Sequence, residues 1–119
     1  MLSFNKFKKS LGYALAGLAE ELRVGHSFRV QAIILVALIL MVVVLRVRSV
    51  DAAILILVAT GVVVLELVNS VFERLLDIIS PGLDSHARDI KDIMAGAVLI
   101  GALASLIIGV IIIIPYFRT

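Results

Sequence analysis

Three long apolar stretches, separated by short polar segments, dominate the chain. Each has the length and composition that a membrane-spanning helix requires. Ser80-Pro81-Gly82 ends the second stretch, because proline and glycine both break helices. The pattern predicts transmembrane helices over about residues 28–46, 51–79 and 89–116.

A different pattern occupies residues 2–24. Its apolar residues fall on one helical face, and its lysines lie off that face. The pattern is typical of an amphipathic helix on the membrane surface, with its basic side toward the lipid head groups. The alternative is a short helix packed against a soluble core. The apolar face comprises Phe4, Phe7, Leu11, Leu15, Leu18 and Leu22.

The composition agrees with a membrane protein. Hydrophobic residues make up 62% of the 119 residues, and the mean hydropathy is +1.19. A soluble domain of this size could not bury so much apolar surface. The net charge of +2 does not indicate a nucleic-acid partner, and a chain without cysteine forms no disulfide or thiolate site. We predict one all-α integral-membrane domain.

Four polar residues share one face of the second predicted span. They are Glu66, Asn69, Glu73 and Asp77, which lie within roughly 80° of one another on a helix. A carboxylate in or beside the bilayer is costly unless it faces a partner or a wet cavity. This acidic stripe therefore predicts a site for cations or charged substrates. The alternative is a polar seam that holds helices together.

A second charged cluster, Arg88, Asp89, Lys91 and Asp92, begins the third span. Carboxylate oxygens suit Mg²⁺, which commonly shares them with phosphate groups, and lysine is a common partner of phosphate. A positioned carboxylate can also accept a proton from a hydroxyl. Together the two clusters indicate phosphoryl transfer to a lipid alcohol, although the chain contains neither a Walker-type glycine loop nor a kinase catalytic loop.

The distribution of basic residues predicts the topology. Three spans place the N-terminus and the loop near residue 85 on the same side of the membrane. That side carries most of the Lys and Arg residues. The positive-inside rule assigns it, together with the acidic stripe, to the cytoplasm.

Small residues recur every four positions in the third span. They are Ala97, Gly101, Ser105 and Gly109. This ladder predicts a close approach of two helices in lipid, unless it reflects only the abundance of alanine and glycine in membrane helices.

Two runs resemble the prokaryotic diacylglycerol kinase and undecaprenol kinase family. They are VLELVNSVFERLLD from Val64 to Asp77 and KDIMAGAVLI from Lys91 to Ile100, with shorter matches in GYALAGL and SFRVQ. The resemblance implies a small homotrimeric membrane kinase. Each protomer would have a surface helix and three transmembrane helices, and neighbouring protomers would share active sites near the cytoplasmic interface.

The resemblance also implies roles for individual residues. Glu66 matches the family's catalytic base, and Asn69 matches its close partner. Glu73 matches a ligand of the Mg²⁺-nucleotide, whereas Asp77 extends the stripe in a supporting role. The positions that match nucleotide-contacting residues are Lys6, Tyr13, Lys91 and Asp92.

One position departs from the family pattern. Members usually have a metal-binding glutamate three residues before the Phe28-Arg29 pair, and this chain has Gly25 there. Glu21 lies one helical turn earlier and could take over if the surface helix persists. Otherwise metal binding rests on Glu73, and the chain is a family member with reduced catalysis.

We therefore predict an ATP- and Mg²⁺-dependent kinase of the bacterial cytoplasmic (inner) membrane. It would phosphorylate the primary hydroxyl of diacylglycerol or undecaprenol, and the sequence leaves open which. The alternative is a small oligomeric transporter or channel whose intramembrane carboxylates bind protons or cations. Lys91 and the basic surface helix favour the kinase, because a cation path would not recruit positive charge.

Overall fold

The computed structural model of the chain describes residues 3–82 and 84–118. They form four α-helices joined by short turns, followed by a short 3₁₀ helix, Ile114–Phe117. No β-strand occurs in the described ranges, so the predicted all-α fold is confirmed. The helices are α1 (Phe4–Val24), α2 (His26–Val44), α3 (Ser49–Ile79) and α4 (Ser85–Ile113).

Three of these helices can cross a membrane. α2, α3, and α4 with its 3₁₀ extension are long and apolar enough to do so. Their large apolar side chains are mostly exposed in the single chain, as expected where lipid replaces water as the solvent. Among the described residues, the buried apolar side chains are Phe28, Leu55, Leu76 and Ala87.

α4 begins earlier than the sequence pattern predicts. The expected start was near Asp89, but the helix begins at Ser85. Asp84 caps it, because its carboxylate accepts a hydrogen bond from the backbone N–H of Ala87 at 2.8 Å. The cap extends the helix into a polar run that hydropathy alone marks as a loop.

α3 is the central helix and packs against both α2 and α4. A Cβ atom added at Gly101 of α4 would lie 2.9 Å from Leu65 Cδ1 of α3, so glycine permits the close approach of the two helices there. A Cβ atom added at Gly109 would meet nothing within 4 Å. The small-residue ladder therefore serves packing within the chain at Gly101, and it faces open space at Gly109.

A single residue, Gly25, separates α1 from α2. Its N–H donates to the Glu21 carbonyl at 2.7 Å, and its carbonyl accepts from the Arg29 N–H at 3.0 Å. The Arg29 guanidinium also donates to the carbonyls of Leu22 and Arg23, at 3.1 and 2.8 Å, which the end of α1 would otherwise leave unpaired. A Cβ atom at position 25 would lie 2.8 Å from the Glu21 carbonyl oxygen, so a larger residue would require the turn to shift.

The turn at the other end of α2 has a Schellman geometry. Val47 N–H donates to the Val42 carbonyl at 3.1 Å, and Arg46 N–H donates to the Val43 carbonyl at 3.3 Å. Arg46 is left-handed, with φ 53°, at the position where glycine is usual. An L-residue in this conformation costs about 1–2 kcal/mol.

Tyr116 connects the end of α4 to the start of α3. Its hydroxyl donates a hydrogen bond to Asp51 Oδ2 at 2.6 Å and accepts one from the Arg48 N–H at 3.0 Å. This polar contact lies at the opposite end of α3 from the acidic stripe, so it fixes the helices without contributing to the site described next.

Candidate active site

Three residues of the acidic stripe border one cavity, and we call it the Glu66 cavity. Its volume is about 390 Å³, and its lining includes Glu66, Asn69 and Glu73. The α1–α2 turn, residues 24–28, and two residues of α4 form other walls. Glu66 and Asn69 are each only 8% exposed, whereas Glu73 is exposed. The cavity therefore connects a buried carboxylate with an accessible one.

Gln31 of α2 contacts Glu66 from a second helix. Its side-chain amide donates to Glu66 Oε2 in a long hydrogen bond of 3.5 Å. Gln31 Oε1 and Asn69 Oδ1 are buried without a hydrogen-bond partner among the described residues. These two acceptors beside the carboxylate suit a donor such as a substrate hydroxyl or a water molecule.

Gln31 is not among the site residues predicted from the sequence. The available signal was an amide directly before a stretch that is apolar from Ala32 onward. A polar group at that place in a membrane helix needs a partner, and Glu66 supplies one.

Glu21, the possible replacement for a glutamate at position 25, lies beside Gly25. It is buried, and its Oε2 atom is 3.0 Å from the position that a Cβ atom at Gly25 would occupy. The Glu21 carboxylate thus fills the space that a side chain at position 25 would enter. Its Oε1 atom is ion-paired with Nη2 of Arg74 on α3.

Negative charge predominates in and beside the Glu66 cavity. Glu21 and Glu73 are close enough to Glu66 to interact with it electrostatically, and Arg74 is paired with Glu21. Three carboxylates with one guanidinium have a formal charge of −2. At the boundary of a low-dielectric membrane this excess is unfavourable unless a cation offsets it.

These residues fit a Mg²⁺ ion that arrives with a nucleotide. Among the described residues, no three Asp, Glu, His or Cys side chains converge closely enough to hold a metal ion by themselves. Mg²⁺ does not require such a cage, because it retains water ligands and commonly binds one or two carboxylates together with phosphates. The hard oxygen donors, the negative charge and the unpaired Asn69 Oδ1 satisfy that requirement.

The predicted nucleotide-contacting residues of α4 lie outside the Glu66 cavity. Lys91 is partly buried, and its Nζ lies 3.1 Å from Oδ1 of the exposed Asp77. This ion pair joins α4 to the end of the acidic stripe. Asp92, the next residue, is exposed and does not line the cavity either.

The predicted residues of α1 are also separate from Glu66. Tyr13 is exposed and borders a second cavity of about 450 Å³ together with Glu21 and Arg74; we call it the Tyr13 cavity. Lys6 is exposed, and about 22 Å of helix separates it from Glu21. Within one chain the structure brings Glu66, Asn69 and Glu73 to one cavity, with Glu21 beside its wall. The cavity lining does not include Lys6, Tyr13, Lys91 and Asp92.

Comparison with known proteins gives one family. The family model for prokaryotic diacylglycerol kinase matches residues 12–113. A diacylglycerol kinase of Synechocystis sp. is 33% identical over 108 residues, and these cover 89% of this chain and 61% of that protein. An undecaprenol kinase of Bacillus subtilis is 32% identical over 111 residues, and these cover 93% of this chain and 90% of that protein.

The match confirms the predicted resemblance. It covers most of the chain, from α1 to the end of α4, and it includes every residue that lines the Glu66 cavity. With three helices able to cross a membrane, the chain is a multi-pass membrane protein. The chain therefore belongs to the prokaryotic diacylglycerol kinase family of lipid kinases.

Proposed function

We propose that this protein transfers the γ-phosphate of ATP, bound with Mg²⁺, to the primary hydroxyl of a membrane lipid. The observation that carries the proposal is the Glu66 cavity, where buried Glu66 and Asn69 meet exposed Glu73 in a membrane-spanning helix. Family membership supports phosphoryl transfer as the reaction. The names of the two relatives supply the candidate lipids, diacylglycerol and undecaprenol.

Glu66 is the proposed base. The lipid hydroxyl oxygen attacks the γ-phosphorus, the bond from that phosphorus to the bridging oxygen breaks, ADP leaves, and the hydroxyl proton passes to Glu66. The hydrogen bond from Gln31 holds the Glu66 carboxylate in place. The unpaired Asn69 Oδ1 is an acceptor for a water molecule at the nucleotide.

Glu73 and Glu21 would hold the metal ion. Glu73 is exposed at the Glu66 cavity, and Glu21 lies where a side chain at position 25 would begin. When bound, Mg²⁺ offsets the negative charge that develops on the phosphates. The position of Glu21 supports the view that it takes over from the glutamate that Gly25 replaces.

We also propose a homotrimer with shared active sites. Tyr13 and Lys91 lie outside the Glu66 cavity of their own chain, so a neighbouring chain could supply them. Exposed apolar faces and the open surface at Gly109 leave room for such a neighbour. In each protomer α1 would lie on the membrane surface, because its apolar residues Phe4, Phe7 and Leu11 are exposed.

The proposed location is the cytoplasmic face of the bacterial inner membrane. The basic residues near the start of the chain and around the α3–α4 turn support that orientation. ATP is available on this side, and the Glu66 cavity lies toward the same end of α3.

A direct phosphorylation assay tests the function. Purified protein in mixed micelles would receive Mg²⁺, γ-labelled ATP and either diacylglycerol or undecaprenol. We expect label in at least one lipid, and almost none with the Glu66→Gln variant. The two relatives are nearly equally identical to this chain, so sequence identity does not select the lipid. The ratio of the phosphorylation rates measured with the two lipids identifies it.

Two outcomes would contradict the proposal. One is a folded protein that phosphorylates neither lipid at any Mg²⁺ concentration. The other is cation flux across the membrane of vesicles that contain the protein, with no lipid phosphorylation. That result would favour the transporter or channel instead.

A further inference from the structure

The proposed reaction gives no role to Arg74, yet Arg74 connects two helices through a buried partner. Its guanidinium on α3 is ion-paired with the Glu21 carboxylate on α1. The Glu21 side chain is 10% exposed, and the Arg74 side chain is 52% exposed. The pair therefore has a buried carboxylate at one end and an accessible cation at the other.

The pair lies beside both the Glu66 cavity and the Tyr13 cavity. Glu21 Oε2 lies close to Gly25, which borders the Glu66 cavity. Glu21 and Arg74 both border the Tyr13 cavity, which lies between α1 and α3. The pair thus reaches from the Tyr13 cavity to the wall of the Glu66 cavity.

Two other arginines at the α1–α2 turn are already engaged. The Arg29 guanidinium caps the end of α1 by bonding to the carbonyls of Leu22 and Arg23. Arg23 pairs with Glu20 at 2.6 Å on the exposed side of α1. Arg74 differs from both, because its partner belongs to a group of carboxylates with excess negative charge.

A guanidinium that is bound to a carboxylate can exchange it for a phosphate. Both anions accept two parallel N–H donors from arginine, and a phosphate with two negative charges competes well for them. We propose that Arg74 binds a phosphate of the nucleotide, and that Glu21 holds Arg74 in position until the nucleotide arrives. The inference rests on the proposed function, since the ligand is the nucleotide of that reaction.

The exchange has a consequence for Glu21. Once Arg74 turns to the phosphate, the Glu21 carboxylate loses its partner and becomes available to the metal ion that accompanies the nucleotide. The position of Glu21 beside Gly25 suits this role, because no side chain at position 25 occupies that space. Arg74 and Glu21 together then compensate for the glutamate that this chain lacks.

Binding of ATP without metal tests the proposal, because it needs no turnover. The full-length protein in detergent micelles is titrated with ATP in excess EDTA by calorimetry. We expect Arg74→Gln to weaken ATP binding by about tenfold or more, the usual loss for a charge-assisted contact. Glu21→Gln should tighten ATP binding, because the competing carboxylate is removed, and the double variant should resemble Arg74→Gln.

A purely structural ion pair gives a different result. Glu21→Gln and Arg74→Gln would then weaken binding alike, or leave it unchanged, and either outcome overturns the proposal. Arg23 is a matched control on α1, because it is also ion-paired with a glutamate but its side chain is largely exposed. Arg23→Gln should leave ATP binding unchanged, and an effect equal to that of Arg74→Gln would also overturn the proposal.

ATP binding by the variants and lipid phosphorylation report on Arg74 and on the reaction separately. If Arg74→Gln does not fold, Glu21→Gln decides alone: tighter ATP binding supports the proposal, and equal or weaker binding contradicts it. Lipid phosphorylation by a protein that lacks the predicted binding pattern would overturn the inference only. The predicted pattern in a protein that phosphorylates no lipid would retain Arg74 as a nucleotide-binding residue and overturn the proposed reaction.

Discussion

Lys91 Nζ lies 3.1 Å from Asp77 Oδ1, and this ion pair joins α4 to α3 at the end of the acidic stripe. The family resemblance implies that Lys91 contacts the nucleotide, so the pair would have to open during the reaction. Asp77 is largely exposed. Such a pair contributes only about 0–1 kcal/mol to stability. Replacement of Asp77 by a phosphate as the partner of Lys91 would therefore cost little stability.

The first prediction concerns the two members of this pair. Lys91→Ala should raise the KM for ATP by about tenfold or more, because a charge-assisted phosphate contact is lost. Asp77→Asn should leave that KM equal or lower, since it frees the lysine. Both variants should unfold near the native temperature. Steady-state kinetics over a range of ATP concentrations checks this, and native KM and kcat in Lys91→Ala would contradict it.

The second prediction is that Glu66→Gln loses turnover by roughly 10²-fold or more, the usual scale for a general base. The amide retains the size of the carboxylate and can still bond to Gln31, so fold and assembly should persist. Gel filtration checks that the variant keeps the native assembly, and ATP binding in the absence of metal checks that it keeps the native fold. Glu20→Gln makes the same change on α1, outside the lining of the Glu66 cavity, and should leave turnover unchanged. Near-normal turnover in Glu66→Gln would remove Glu66 from its proposed role.

The third prediction concerns Gln31. Gln31→Leu removes the donor to Glu66 and also a buried acceptor that has no partner among the described residues, so the two effects on stability oppose each other. We expect stability to change by less than about 1 kcal/mol. The value of kcat should fall about tenfold while the KM for ATP stays constant, because Glu66 loses its orientation and the nucleotide contacts remain.

Ser105→Ala provides the control for Gln31. Ser105 borders the same apolar groove as Gln31, but it lies on α4 and is not among the residues that line the Glu66 cavity. Its loss should leave kcat unchanged. If Gln31→Leu keeps the native kcat, the hydrogen bond to Glu66 has no role in turnover.

The spans could be predicted because lipid imposes a simple rule on sequence. A helix surrounded by lipid needs a continuous apolar stretch, and no tertiary contact has to be known to see it. The start of α4 was harder to predict from hydropathy. The hydrogen bond from the Ala87 N–H to the Asp84 carboxylate extends the helix through polar residues. Hydropathy carries no information about such a cap.

The arrangement of the candidate site was predictable where its residues lie on one helix. Glu66, Asn69 and Glu73 share a face because helical spacing places them there, and the cavity includes all three. The pair of Glu21 with Arg74 joins residues 53 positions apart, and that of Asp51 with Tyr116 joins residues 65 positions apart. Such pairs depend on how α1 and α4 pack on α3, so no local pattern reveals them.

The fourth prediction is that Gly25→Glu does not restore a metal ligand. The new Cβ atom would lie 2.8 Å from the Glu21 carbonyl oxygen and 3.0 Å from its Oε2 atom. The turn or Glu21 must shift, and such overpacking costs about 1–3 kcal/mol. We expect a lower unfolding temperature and an unchanged or higher Mg²⁺ requirement. Gly25→Ala separates the two effects, because it adds the Cβ atom without a carboxylate. A lower Mg²⁺ requirement in Gly25→Glu alone would show that Glu21 does not fill the role.

The fifth prediction is that subunits with different defects complement each other. Tyr13 does not border the Glu66 cavity of its own chain, so a neighbour should supply it. Glu66→Gln and Tyr13→Ala should each be nearly inactive alone. After mixing in equal amounts and reassembly, about one site in four would combine both native residues in a cyclic oligomer. Lipid phosphorylation should recover to a similar fraction of the native rate.

A second mixture supplies the control for shared sites. Glu66 and Glu73 border the same cavity in one chain, so Glu66→Gln mixed with Glu73→Gln has no site with both native carboxylates. This mixture should remain inactive, because exchange between subunits cannot reunite residues that one chain must supply together. Recovery in both mixtures would indicate that residual activity, and not complementation, is measured. A protein that light scattering shows to be monomeric and that still phosphorylates lipid would exclude shared sites. The Glu66 cavity of one chain would then suffice without a neighbour.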